Sequence, residues 1–301
     1  ELNWMVIPLS ENPCAAAQGA LAIECRSNDN STKEIIKSIS SFSSMSSIEE
    51  ERKILQSYGG GCHQKIGSSV EVLETGLVKT TKGETEEGRN ISKRFFVANK
   101  ENKTFFSDVS EINYFPASRE EQSFFKRVNL QDTENELPKI TNKGIYVSRS
   151  NAIGESIKID DSNIIWTSGV DTWISLAMKG FWVNGTSDSL GEKNSPGENP
   201  FKDMDWLKVS HADAENRDID IIATYKLEPL ELKKRMQSCE YFYWMSASSF
   251  KLAIDTFPEI LTKKHSCGLG NTYDFINGMI PENTFPCLNY DSWLEQIKAN
   301  H

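Results

Sequence analysis

Two serines stand at positions where an anionic ligand could be held. Ser168 lies between the apolar run Ile164–Thr167 and the helical pattern Val170–Lys179. Ser246 has the same place in a second such pattern, over residues 241–257. In open α/β sheets, ligands gather at the carboxyl ends of strands, where helix N-termini offer unpaired N–H groups to anions. Two such segments facing each other would form a cleft suited to carboxylates, although serine is also a common helix cap that needs no ligand.

A thiol that could act as a nucleophile follows a run of three glycines. Cys62 comes directly after Gly59, Gly60 and Gly61 and precedes His63. A glycine-rich bend leaves a thiol accessible and close to backbone donors, and the thiolate is the reactive form of cysteine. From these residues alone, we interpret Cys62 and His63 as structural neighbours without chemistry. A hydrolase or a cysteine-dependent enzyme is poorly supported, because the sequence has neither a Gly-x-Ser-x-Gly segment nor a papain-like cysteine signature.

Charge and composition limit the partners. The chain of 301 residues has 33 basic and 43 acidic residues and a net charge of −10. Long-range repulsion therefore opposes non-specific binding to nucleic acid or to an anionic membrane, and local donors must hold any anionic ligand. The sequence has no apolar run of the roughly 20 residues that cross a bilayer and no signal-peptide pattern, so we expect a cytoplasmic protein.

The cysteines and histidines do not predict a metal site. The six cysteines show no CxxC pair and no zinc-ligand spacing, and a chain of this length does not need a disulfide framework. His211 and His265 stand apart from any pattern of carboxylate or cysteine ligands. We expect free thiols and no bound metal.

The first third of the chain is predicted to contain two short helices and a small antiparallel sheet. Capping-box patterns predict helices that begin near Ser31 and Ser47, and the three glycines end the second helix. Residues rich in β-branched and aromatic side chains, at Val70–Thr80 and Ser92–Val97, predict an antiparallel pair with a turn at Lys82–Gly83.

The second half of the chain has a different texture. A linker is predicted over residues 116–142, where the sequence becomes polar from about Gln131. After it, short apolar runs alternate with helical patterns, which predicts a mainly parallel sheet with helices on its faces. The apolar runs are residues 145–148, 164–167, 181–184, 219–225 and 241–245, and the helical patterns are residues 170–179, 230–237 and 248–257. The predicted fold class is α/β, with an α+β unit over residues 1–115 and an α/β unit over residues 143–301.

Two spaced motifs occur in the first third of the chain: Ala15–Arg26 reads AAAQGALAIECR and Glu51–Cys62 reads ERKILQSYGGGC. They resemble the AxGQGALGIECR and ERxFLxxLEGGC signatures of hydroxymethylbilane synthase, also called porphobilinogen deaminase. The resemblance implies that residues 1–115 are the end of domain 1 and the cofactor-cysteine domain of such a transferase. It also implies that Cys62 carries the dipyrromethane cofactor as a thioether. The family's catalytic aspartate would lie in an upstream deaminase segment, so we expect such a segment in the gene product.

The sequence departs from the deaminase signatures in three places. Ala17 stands where glycine is usual, and Gly59 replaces a common glutamate. Gln64–Lys65 replaces a small residue and a proline after the cysteine. The last change alters the loop that presents the thiol.

Four segments of the second half follow the order of the motifs of another family. They are Gly144–Ser150, Ala223–Pro229, Trp244–Phe250 and Cys267–Tyr273. They resemble the diffuse motifs of uroporphyrinogen-III synthase, a lyase of the same pathway. The resemblance implies a two-lobed synthase-like unit with one lobe shortened, which closes hydroxymethylbilane to uroporphyrinogen III.

The same resemblance assigns roles to single residues. Tyr225 would assist departure of the substrate hydroxyl, and Ser246 and Thr272 would hold substrate carboxylates. Ser168 is the corresponding candidate on the opposite lobe. Little acid or base is required, because the substrate's own pyrrole nitrogen expels the hydroxyl and the enzyme mainly positions the rings. Two alternatives stay open: Tyr225 as a strand tyrosine bonded to backbone, and a non-catalytic module that binds or channels the tetrapyrrole next to a deaminase.

Overall fold

The computed structural model describes residues 3–61, 64–99, 105–106, 113–191, 201, 203–214 and 219–299. The chain divides into two compact units. The small unit is Leu9–Glu101, and the large unit combines Glu1–Pro8 with Asn102–His301. The fold class is mixed α/β, as predicted. No helix among these described residues is long and apolar enough to cross a membrane.

The small unit contains two helices and an antiparallel sheet in which β2 lies between β1 and β3. This arrangement confirms the predicted small antiparallel sheet, and α2 packs against β1. The elements are α1 (Asn30–Ile39), α2 (Phe42–Ser57), β1 (Lys65–Leu73), β2 (Gly76–Glu84) and β3 (Asn90–Ala98).

The turn predicted at Lys82–Gly83 was wrong, because that pair lies inside β2 and the chain turns at residues 85–89 before β3. The predicted strand Val70–Thr80 is also interrupted, since the chain reverses after Leu73 between β1 and β2. Gly83 allows β1 and β2 to approach closely and does not form a turn, because a Cβ built on it would lie 2.0 Å from the carbonyl oxygen of Lys65. The three glycines do end α2: Gly59, Gly60 and Gly61 all have positive φ. That helix begins at Phe42, before the predicted Ser47, because the Ser41 side chain already accepts from Ser44 N–H at 3.3 Å.

The described residues of the large unit form two sheets. One has six strands in the order β5-β10-β9-β6-β7-β8 and is parallel except for β5, and the other has four parallel strands in the order β13-β12-β11-β4. The strands are β4 (Tyr114–Phe115), β5 (Phe125–Asn129), β6 (Gly144–Val147), β7 (Ile164–Thr167), β8 (Gly185–Thr186), β9 (Trp206–His211), β10 (Asp220–Pro229), β11 (Tyr241–Trp244), β12 (Lys264–Cys267) and β13 (Thr284–Pro286). The helices are α3 (Gln131–Glu134), α4 (Val170–Met178), α5 (Ala247–Thr256), α6 (Asn271–Met279) and α7 (Tyr290–Ala299). The mainly parallel sheet is confirmed.

The segment expected to be a linker, residues 116–142, belongs to the body of the large unit. It contains β5, which pairs with β10, and α3. Leu137 is fully buried in the core of the six-stranded sheet, and the Glu134 carboxylate accepts a hydrogen bond from Gly154 N–H. The polar composition gave no sign of these contacts, because a few buried side chains are enough to hold the segment against the sheet.

Two other predicted elements differ from the structure. Residues 181–184 are not a strand, and the edge strand β8 follows directly after them. The helical pattern at residues 230–237 yields only a 3-10 helix, Lys234–Ser238. Pro229 closes the preceding strand β10, where it pairs with Phe125 of the edge strand.

Each sheet of the large unit has its own core. The core of the six-stranded sheet is mainly aliphatic, whereas that of the four-stranded sheet is aromatic. In the aromatic core, Phe242 and Trp244 stack with ring centroids 5.5 Å apart and an interplanar angle of 4°. His265 is fully buried beside them and accepts a hydrogen bond from the Trp244 indole N–H on its Nδ1, at 2.9 Å.

Candidate functional site

The parallel strands of the six-stranded sheet end along one edge. Val147, at the end of β6, pairs with Val209 of β9 on one side and with Thr167 of β7 on the other. Ser168 follows Thr167 at this carboxyl edge, and His211 ends β9 there. The edge is the place where α/β proteins bind ligands.

Tyr225 reaches the same edge through an irregularity in its strand. The register of β10 against β9 shifts between Ala223 and Tyr225, so that Tyr225 pairs with His211. A bulge of this kind re-aims side chains near functional sites. The skipped residue, Thr224, donates its hydroxyl hydrogen to the Ala152 carbonyl at 2.6 Å.

Two nitrogen-rich side chains lie against the Tyr225 ring. The guanidinium carbon of Arg127 is 4.7 Å from the ring centroid, and the His211 ring is 5.9 Å away at an angle of 50°. Tyr225 is only 3% exposed. We name Arg127, Arg149, His211 and Tyr225 the rim cluster.

The rim cluster favours negative charge. Burial lowers the pKa of His211, Asp213 opposes this shift, and Arg127 adds to it. Burial also lowers the pKa of Arg127. Tyr225 raises that pKa, whereas Arg149 lowers it further. Each positive group thus disfavours the charge on its neighbours, and an anion placed among them would relieve that repulsion.

Ser168 is tied into the carboxyl edge by three hydrogen bonds. Its hydroxyl donates to the Ser148 carbonyl at 2.8 Å, its N–H donates to the Val147 carbonyl, and its carbonyl accepts from Ser189 N–H. The N-cap of α4 is Gly169, which makes no side-chain cap. Ser168 therefore joins the ends of β6 and β7 and does not cap the helix.

Ser246 and Thr272 lie at the carboxyl edge of the four-stranded sheet, after the adjacent parallel strands β11 and β12. Ser246 caps α5, because its Oγ accepts a hydrogen bond from Ser249 N–H at 3.1 Å. This is the helix-cap role that the sequence offered as the alternative to ligand binding. Thr272 is half-buried in the first turn of α6, whose N-cap Gly270 has no side chain to cap it.

A loop of the large unit joins the two edges. Ser189 binds Ser168 through its N–H, and two residues later Gly191 meets Gly270, the N-cap of α6: a Cβ on either glycine would lie 2.9 Å from the other's Cα. The loop thus brings Ser168 and Thr272 into one region. Tyr225 lies three strand spacings from Ser168 along the edge, about 14 Å.

Sequence reasoning missed Arg127 and assigned no role to His211. Arg127 stood in the expected linker, and its contact with Tyr225 depends on pairing between strands about 100 residues apart. Phe125–Asn129 has only two apolar residues, three positions apart, so its local pattern carried no period-2 signal of a strand. In the described part of the chain, no group of three or more histidine, cysteine or acidic side chains could hold a metal ion.

The predicted cofactor residue Cys62 and its neighbour His63 lie outside the described residues. One carboxylate joins the two deaminase-like motifs, Ala15–Arg26 and Glu51–Cys62. Glu51 accepts from Ala17 N–H at 2.8 Å and from Val70 N–H at 3.0 Å, which links the first motif to the second and to β1.

Glu51→Gln is expected to lower the free energy of unfolding by about 2 kcal/mol, because an amide cannot accept both N–H bonds with a full negative charge. Urea unfolding of the purified chain measures the change. The exposed Glu49→Gln, in the same helix, should leave the stability unaltered. Equal losses in the two variants would contradict the bridging role of Glu51.

Ala17→Gly is expected to raise the free energy of unfolding by about 0.5–1 kcal/mol. Ala17 has φ of 65°, a conformation that costs a residue with a Cβ more than it costs glycine. Ala16→Gly is the matched control, since Ala16 is not among the described residues with positive φ. Thermal unfolding would contradict the argument if the control gained as much as Ala17→Gly.

Comparisons with known proteins match the two parts of the chain differently. The chain is 39% identical over 79 residues to a porphobilinogen deaminase of Fusobacterium nucleatum, a match covering 26% of each chain. It is 31% identical over 86 residues to that of Desulforamulus reducens, covering 29% of this chain and 28% of the relative. The chain therefore spans about a quarter of the length of the curated relatives it matches.

Among solved structures, the uroporphyrinogen III synthase of Thermus thermophilus matches 60% of this chain and 87% of its own, with 12% identity and a TM-score of 0.35. No family model matches the chain. Over a segment of about 80 residues, the chain resembles porphobilinogen deaminases.

Proposed function

We propose that the chain acts in tetrapyrrole biosynthesis as a joined piece of two consecutive enzymes. The large unit closes hydroxymethylbilane to uroporphyrinogen III, and the small unit carries a dipyrromethane on Cys62 in the intact deaminase. The observation that carries the first part is the position of Tyr225, which lies at the carboxyl edge of a mainly parallel sheet between Arg127 and His211. The order of the four synthase-like segments supports the same assignment.

In the proposed reaction, the bond between carbon and oxygen of the hydroxymethyl group breaks as the adjoining pyrrole nitrogen supplies electrons. The Tyr225 hydroxyl donates a hydrogen bond to the departing oxygen, which leaves as water after taking up a proton. The substituted carbon of the last ring then attacks the resulting electrophile and forms a spirocyclic intermediate. The bond from that carbon to its original methylene bridge breaks, the freed methylene is captured by the unsubstituted carbon of the same ring, and this carbon loses its proton, which inverts the ring. The products are uroporphyrinogen III and water, so no net acid or base is consumed.

The carboxylates of this substrate are compatible with a chain of net charge −10. The N-termini of α4 and α6 have glycine N-caps without side-chain caps, so their N–H groups can donate hydrogen bonds to anions without net positive charge. Ser168 and Thr272 stand beside these two helix starts. We assign them, together with Ser246 at the start of α5, to the binding of substrate carboxylates.

The test supplies hydroxymethylbilane and resolves the uroporphyrin isomers after oxidation. Spontaneous closure yields isomer I, so isomer III in excess over a heat-unfolded control is the expected result. Isomer I alone, formed at the spontaneous rate, would refute catalysis by the large unit. If the chain slowed spontaneous closure without forming isomer III, the alternative of a binding or channelling module would hold instead.

For the small unit, the surroundings of the glycine turn fit a carboxylated pyrrole group. An open cleft beside the turn is lined by Tyr58, Arg89 and Lys93 together with Glu86 and Glu87. Arg89 pairs with Glu87 at 3.3 Å, so Lys93 is the cation that we assign to an acetate or propionate side chain. Lys93 Nζ donates to the Tyr58 hydroxyl at 3.2 Å, which leaves further hydrogens for a ligand. When bound, the dipyrromethane serves as the primer to which further pyrroles are added.

Attachment is tested in the gene product that includes any upstream segment. Mass spectrometry of the protein should show the added mass of two pyrrole rings on the peptide containing Cys62, and a colour test for pyrroles should be positive. Both signals should vanish in Cys62→Ser. An unmodified Cys62 peptide in protein that makes hydroxymethylbilane would refute the assignment.

A further inference from the structure

Arg127 presents a buried donor without a protein partner. Its Nη1 is shielded from solvent and has no hydrogen-bond partner among the described residues, and the same holds for Nδ1 of His211. Leaving such groups unpaired is costly, above all on a permanently charged guanidinium. Both atoms belong to side chains that pack on the ring of Tyr225.

No carboxylate of the described residues compensates the charge of Arg127. The groups that act on it are Tyr225 and Arg149, and the second is itself a cation. Asp213 acts on His211 but is exposed. Among the described residues, the half-buried Arg127 thus has a cation, an imidazole and a phenol as electrostatic neighbours, an arrangement suited to binding an anion.

The rim cluster is reachable from solvent on one side. Asn129, which pairs with Tyr225 at the end of β5, is exposed, and so is Arg149 after β6. The Arg127 guanidinium carbon lies 4.7 Å from the Tyr225 ring centroid, a contact that restrains the side chain, and the edge of a guanidinium can meet a planar carboxylate with two parallel hydrogen bonds. The exposed residues therefore mark the side from which an anion would approach the cluster, whereas Nη1 of Arg127 itself is shielded from solvent.

We propose that Arg127, assisted by His211 and Arg149, binds one carboxylate arm of the tetrapyrrole and so places the reacting end of the chain against Tyr225. The inference rests on the proposed function of the large unit and adds to it a positioning residue and the group that this residue holds. Arg127 acts on substrate placement, and Tyr225 acts on the departing hydroxyl.

The test measures binding of uroporphyrin III, a stable oxidised form of the product, by porphyrin fluorescence. Arg127→Gln should weaken binding about 10- to 100-fold, the usual effect of losing a charge-assisted hydrogen bond. Arg127→Lys should recover part of the affinity, since it restores the charge without the two-pronged geometry. Lys126→Gln, an exposed neighbour on the same strand, is the matched control and should bind as the unaltered chain does. Thermal unfolding verifies that each variant is folded.

Further binding measurements identify which kind of anion the cluster holds. Coproporphyrin III, which keeps four carboxylates and lacks the acetates, should bind more weakly to the unaltered chain if an acetate is held, and as tightly if a propionate is held. Inorganic phosphate at millimolar concentration should not displace uroporphyrin III. If phosphate did displace it, and only when Arg127 is present, the cluster would be a site for free anions and the proposal would be overturned.

Failure of this proposal can be told apart from failure of the proposed function. Isomer III formed equally well by Arg127→Gln, with unchanged KM, would overturn the role of Arg127 and leave the ring-closing function standing. Binding of uroporphyrin III that depends on Arg127, without any isomer III, would refute catalysis and support the carboxylate site. A folded chain that binds no uroporphyrin III would overturn the carboxylate site.

Discussion

The free energy of unfolding is expected to fall by about 3 kcal/mol as the pH drops from 6.5 to 4, because His265 must stay neutral in the folded chain. Its Nδ1 accepts from Trp244 and its Nε2 lies 3.0 Å from the Ile260 carbonyl, so Nε2 carries the hydrogen. A second proton would have to displace the Trp244 donor. Burial accordingly lowers the pKa of His265 to about 4.

The sign follows from proton binding. The unfolded chain takes up a proton near pH 6.5, whereas the folded chain resists it down to about pH 4, so protons favour unfolding between these values. Above pH 6.5 both states are neutral at His265 and the effect disappears. Urea unfolding at several pH values measures it.

His265→Gln should flatten this part of the pH dependence while lowering the stability at neutral pH. Trp244→Phe offers a second variant: it keeps an aromatic ring in the stack but removes the donor to Nδ1, so the pKa of His265 should move back toward its usual value. A pH dependence equally steep in His265→Gln and in the unaltered chain would contradict the role of His265.

Tyr225→Phe is expected to slow formation of isomer III about 100-fold, at the lower end of the usual contribution of a positioned proton donor. The ring remains packed beneath Arg127, so the fold and the binding of uroporphyrin III should change little. Because the bilane still closes by itself, isomer I should accumulate in place of isomer III. Initial rates and isomer ratios measure both effects.

Tyr146→Phe is the matched control. Tyr146 is a buried tyrosine of the same sheet, but it alternates with Ile145 and Val147 of the core and so points to the other face. The control should form isomer III at the normal rate. An unchanged rate in Tyr225→Phe, or an equal loss in both variants, would remove Tyr225 from the reaction.

Local patterns in the sequence predicted much of the fold. The glycine run after α2 and the alternation of apolar runs with helical patterns depend on neighbours in the chain, and the structure confirms both. The serine cap of α5 was likewise foreseen as an alternative for Ser246. These features need no knowledge of distant pairing.

The rim cluster could not be predicted in the same way. Arg127 meets Tyr225 only because β5 joins the far edge of a sheet built mostly from later residues. His211 meets Tyr225 because a register shift replaces Thr224 in the pairing. A register shift depends on tertiary packing, and no residue type in that segment signals it.

The most direct measurement of where the tetrapyrrole binds is hydrogen exchange of the backbone amides, with and without uroporphyrin III. We expect slower exchange in peptides at the carboxyl edge of the six-stranded sheet, around Ser168, His211 and Tyr225, and at the start of α6 near Thr272. Protection confined to the small unit, or an exchange pattern unchanged by saturating uroporphyrin III, would contradict this expectation.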